Sequence, residues 1–134
     1  MAEEGVSMRE ILFRGQRLDT GEWVEGFFSS ETFYGHTPNG DRVFIIQKGT
    51  GFYCPVDPAT VGQFTGSVDK AGKRIFEGDI VSFGANVYVI KYIEKYSRFS
   101  GTIPGIVFSG FPLANSIVIG SVHDTPDLLE GEQA

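Results

Sequence analysis

One cysteine, Cys54, is all the thiol chemistry this chain holds, and two histidines, His36 and His123, are all its imidazole. A single cysteine excludes an intrachain disulfide and suits a reducing compartment, not a stapled secreted scaffold. Two scattered histidines and one cysteine do not make a metal site, so no metal or other cofactor is expected. No apolar stretch approaches the roughly 20 residues of a membrane-spanning helix. The opening residues, MAEEGVS, lack the basic and apolar regions of a signal peptide. A cytoplasmic location is the expectation. No window keeps a helical period, and there is neither a solenoid repeat nor a low-complexity segment.

A surplus of positive charge is also missing. The net charge is −6, and it sits at the ends: Glu3 and Glu4, then Asp124, Asp127, Glu130 and Glu132. Residues 5–121 carry eleven charges of each sign. A neutral body lacks the basic excess that phosphate neutralisation usually needs, although a local basic patch is compatible with it.

What is present is glycine, 18 residues, and phenylalanine, 12 residues. Many glycines among many aromatics suit short strands joined by tight turns. Strands are predicted at 10–14, 22–28, 42–47, 52–56, 79–83, 86–96, 105–110 and 115–122. Asp19-Thr20-Gly21 and Asn39-Gly40 supply turn chemistry. Pro55 lacks a backbone donor, so its strand is expected to lie at an edge or to end there. Pro58 permits one helical turn at most, and residues 97–104 read as a loop. Near the end, Thr125, Pro126 and Asp127 suit an N-cap and first helical turn, with Gly131 to close it. The expectation is an all-β fold: a disordered leader over 1–7, an N-terminal β-hairpin lobe over 8–60, and a small SH3-like or open β-barrel over 61–131 with a short C-terminal helical turn, all one compact unit.

The most informative stretch is QFTGSVDKAGKRIFEGDIV, residues 63–81. Phe64 and Ile75-Phe76 make two apolar arms around a turn, Asp69 to Gly72. Gly66, Gly72, Gly78 and Asp79 are structural: Gly72 takes the left-handed position, Gly78 makes a corner and Asp79 accepts from backbone donors there. No phosphate-loop pattern is met. Lys73-Arg74 beside Gly72 is a place where an anion could touch, but a solvated turn flank is the simpler reading.

This stretch resembles the signature of the YopX family of phage and prophage proteins. REILFRGQRLDTGEWVEGFF, from Arg9, resembles the family's N-terminal signature. IGSVHDTPDLLEG resembles its closing motif. The resemblance spans about residues 8–131, with no motif aligned from Phe83 to Ala114. It implies an all-β fold and an origin in a phage or related element. It brings no catalytic residues with it.

Three classes of function follow from the residues. For an enzyme, the available sets are Cys54 with His123 and Asp124, His36 with Asp41, and the carboxylates Glu77 and Asp79. None has convincing catalytic spacing, so no catalytic residue is assigned. For a single-stranded nucleic-acid binder, KYIEKYSRF interleaves Lys91, Lys95 and Arg98 with Tyr92, Tyr96 and Phe99, as small barrels do to stack bases and follow phosphates. The same residues serve equally as partner contacts. For an accessory, non-catalytic interaction module, aromatics and edge strands on a neutral body favour association with a second copy or with a host or phage protein. The third class is the leading expectation.

Overall fold

The computed structural model describes residues 10–31, 42–108 and 110–129. They form eleven strands: β1 (Phe13–Gln16), β2 (Trp23–Glu31), β3 (Arg42–Gln47), β4 (Tyr53–Pro55), β5 (Gly62–Val68), β6 (Arg74–Phe76), β7 (Asp79–Phe83), β8 (Asn86–Ile93), β9 (Arg98–Ile103), β10 (Ile106–Val107) and β11 (Ile117–Ser121). The leader, the Asn39-Gly40 turn, His36, Asp41 and Gly131 lie outside the described residues.

The strands make two antiparallel sheets, ordered β4-β3-β2-β1-β5-β6 and β10-β9-β8-β7-β11. The all-β expectation is therefore met. Neither sheet closes into a barrel. The first curls until Arg17 meets Val56 in a single bridge. The second is open, ending on β10 and β11. Pro55 does lie on an edge strand, and residues 58–60 form one 3-10 turn capped by Asp57.

Sheet membership changes between β6 and β7, and β6 belongs to both cores. Successive residues of a strand face opposite ways. Phe76 joins Leu12 and Phe64 under the first sheet, while Ile75 joins Val81, Tyr88, Ile90, Phe99 and Phe111 under the second. A third cluster, Val24, Ile45, Cys54 and Val56, fills the curl of the first sheet.

Two sequence expectations fail in the second sheet. The long strand ends at Ile93; residues 94–96 form a 3-10 turn, and Ser97 follows in the left-handed conformation. Residues 98–103, read as loop, are β9, paired with β8 from Val89↔Thr102 to Ile93↔Arg98. Serine and glycine have low strand propensity, but packing overrides it here. Phe99 sits in the core, and Gly101 lies flat beneath the Phe111 ring, where a Cβ would come within 2.6 Å.

The helical turn at 127–129 is present, with Leu128 and Leu129 N–H donating to Thr125 and Pro126 carbonyls. Thr125 does more than open that turn: its hydroxyl accepts from Ser121 N–H and donates to the Ser121 carbonyl.

Candidate functional site

Two buried carboxylates, Asp69 and Asp79, flank β6. Asp69 opens the β5–β6 turn and is 4% exposed. One carboxylate oxygen accepts from Ala71 N–H and Lys73 N–H; the other accepts from Val118 N–H on β11. Burial pushes this carboxyl up, but the three backbone donors together outweigh it and hold it below the usual carboxylate range. Gly72, at φ +88, closes the turn in a conformation that side chains resist.

Gly78, at φ +92, turns the chain from β6 into β7 and delivers Asp79 to the junction of the sheets. Asp79 is 1% exposed. Its Oδ2 accepts from Phe76 N–H, as the sequence suggested, and its Oδ1 lies 2.6 Å from Arg14 Nη2 on β1. Burial pushes the Asp79 carboxyl above its usual range, against the pull of Arg14 and the Phe76 N–H. The Arg14 guanidinium lies between two rings, 4.3 Å from Trp23 and 4.9 Å from Phe76. Arg14 belongs to the quoted N-terminal motif, but its role was not read from it. An arginine preceded by Leu12 and Phe13 in a strand, with an aspartate after the corner glycine, is the signal that a buried pair leaves in a sequence.

Asp124 ties the tail across to the first sheet. Its oxygens accept from Gln16 Nε2 and Trp23 Nε1, both at 2.7 Å. His123 lies against Trp23, ring centroids 6.0 Å apart. Cys54 is buried on β4, with Arg17 Nη1 and the Phe52 carbonyl as its contacts. Glu77 and Asp79 diverge: Glu77 opens on a cleft, while Asp79 is sealed beside Arg14.

That cleft, about 810 Å³, runs between β5 and the β8–β9 hairpin. Gln63, Thr65, Gly66, Tyr92, Arg98 and Phe99 are among its lining. It gathers three of the six basic and aromatic residues marked from sequence. Tyr92 is 44% exposed and stands edge-on to Phe99, centroids 5.1 Å apart; Phe99 is buried. Lys91 points to the opposite face of β8, into a groove with Val87, Val89 and Ile93. Lys95 and Tyr96 sit on the exposed turn between the strands, Lys95 Nζ 5.7 Å from the Tyr96 ring.

Sequence reasoning also passed over the outer face of β2–β4. Phe27, Ile46 and Tyr53 are direct cross-strand neighbours and so share one side. Phe27 is 54% and Tyr53 57% exposed, Phe44 meets the Tyr53 ring at 6.0 Å, and neighbouring Phe52 is 67% exposed. Alternation along 22–28 puts Trp23, Glu25 and Phe27 on one side but does not say whether anything covers it.

Among the described residues, no group of three or more His, Cys, Asp or Glu is placed to hold a metal ion. No helix among them is long and apolar enough to cross a membrane. The molecule is thus an all-β protein of two antiparallel sheets, joined by a hairpin and a buried ion pair. Residues 13–130 match the YopX family, described as "YopX protein", and the chain belongs to that family. No curated protein matches it. Its fold is similar to the crystal structure of protein EF1440 from Enterococcus faecalis, with a TM-score of 0.53 and 23% identity, covering 91% of this chain and 99% of that one.

Proposed function

We propose that this is a phage- or prophage-encoded accessory protein that acts without catalysis, as a protein-interaction or self-assembly module in the bacterial cytoplasm. The aromatic face of β2–β4 carries the reading. Phe27, Phe44, Ile46 and Tyr53 share one side of the sheet, an apolar surface of the composition that interface centres favour. A second copy is the simplest occupant, since one face on each of two chains makes a closed twofold contact. Light scattering on the whole chain and on Phe27→Ser/Tyr53→Ser tests this. A dimer that becomes a monomer in the variant supports self-assembly. A monomeric parent with no protein bound through this face would overturn the module.

The cleft supports a second reading, single-stranded nucleic-acid binding. Its exposed Tyr92 beside Arg98 offers a stacking edge and a cation. Titration with oligonucleotides at rising salt decides it. Binding that weakens with salt and with Tyr92→Ala supports it; absence of binding removes it.

A further inference from the structure

We propose that the cavity beside the β5–β6 turn binds a compact oxyanion, a phosphate or carboxylate group, at the edge of Arg14 and between Lys73 and Arg74. The inference is independent of the aromatic face and of the nucleic-acid cleft. The cavity measures about 490 Å³ and is lined by Arg14, Glu25, Lys73, Arg74 and Phe76, with Gly72 at its rim. Three cations and one carboxylate therefore line it.

Arg14 is the strongest part of the case. It is 8% exposed, and its Nε is buried without a hydrogen bond. Its Nη2 is held by Asp79 Oδ1 at 2.6 Å, which leaves Nε as the donor without a partner. The second Asp79 oxygen is occupied by Phe76 N–H. Trp23 and Phe76 cover the two faces of the guanidinium, so a further acceptor must approach in its plane. A buried guanidinium whose Nε finds no acceptor is an incomplete arrangement, since its donors ordinarily find partners.

The other two cations are available to a ligand. Lys73 is exposed and forms no ion pair among the described residues. Arg74 contacts Glu25 at 3.4 Å and Glu10 at 3.6 Å, long and exposed pairs of the kind that contribute little and exchange readily. An oxyanion between them would find a fork from arginine and a point charge from lysine.

The test is a titration of the ¹⁵N-labelled whole chain with inorganic phosphate, sodium acetate or sodium chloride at constant ionic strength. The Arg14 Nε–H resonance and the Gly72–Arg74 amides are followed. Saturable shifts with phosphate and not chloride are expected, weakened about tenfold by Lys73→Ala or Arg74→Ala, for the loss of one charge-assisted contact. Both substitutions are at exposed positions, so the fold is retained. Saturation with acetate as well assigns a carboxylate-type site; saturation with phosphate alone assigns a phosphoryl one. Shifts that are unsaturable, equal in chloride, or unchanged in both variants overturn the proposal.

Discussion

Arg14 on β1 and Asp79 on β7 meet at 2.6 Å, Nη2 to Oδ1, where the two sheets join. Sixty-five positions separate them in the chain. The contact places one charge from each sheet in an interior where neither is tolerable alone. Removing either partner should therefore cost about 3–5 kcal/mol, because the other is left buried and uncompensated. Urea denaturation of Asp79→Asn and Arg14→Leu measures this. The double variant Arg14→Leu/Asp79→Asn should lose clearly less than the sum of the singles. Additive losses would show that the two side chains act separately.

Asp69 should give the protein an acid limb. Its native carboxyl lies below the usual value of 3.8, while in the unfolded chain it returns to that value. Between the two values the unfolded state binds more protons, so the stability it contributes is complete above about pH 4 and is lost as pH falls through the native value. Asp69→Asn should be about 2–3 kcal/mol less stable at pH 7, for weakening three bonds to a charged acceptor. The gap should narrow as both proteins are taken to pH 2. Asp79 has the opposite sign: its raised native value contributes stability at low pH that is lost as pH rises through it. A constant gap across the titration would contradict the role given to Asp69.

Gly101→Ala should destabilise by about 1–3 kcal/mol, the usual cost of forcing extra volume into a filled core. The added Cβ would press on Phe111, whose ring also packs on Tyr88 at 4.9 Å. Near-UV circular dichroism should report the displaced aromatics. Gly110→Ala is the control, since a Cβ there meets nothing within 4 Å, and it should leave stability unchanged. Equal effects at the two positions would refute the packing account.

Asp124→Ala removes the acceptor for Gln16 and for Trp23, the only tryptophan. A loss of about 1–2 kcal/mol is expected, modest because the site is near solvent. The tryptophan emission should shift as the indole N–H loses its partner. An unchanged spectrum would mean that the clamp is not maintained in solution.

Strand character was legible wherever local pattern and packing agree. The runs 42–47 and 79–83 are apolar, lie between turn residues, and became β3 and β7 without adjustment. The hairpin at 63–81 was legible for the same reason: its left-handed glycines and its turn aspartate act on neighbours close in sequence. β9 was not legible, because Ser100-Gly101 interrupts its strand-favouring residues and the segment owes its extended form to β8 and to the Phe111 ring. The basic-aromatic set was legible as a composition but not as a site, because alternation along β8 sends Lys91 and Tyr92 to opposite faces.

The sequence by itself therefore determined the class of element, the corners and the family, since each depends on residues adjacent in the chain. Tertiary structure alone decided that Ile75 and Phe76 serve different cores, that Arg14 finds Asp79, that Asp69 reaches Val118, and that the aromatic face of β2–β4 stays open. Each depends on strands brought together from distant positions, and burial and charge pairing belong to the packed chain, not to any local stretch of it.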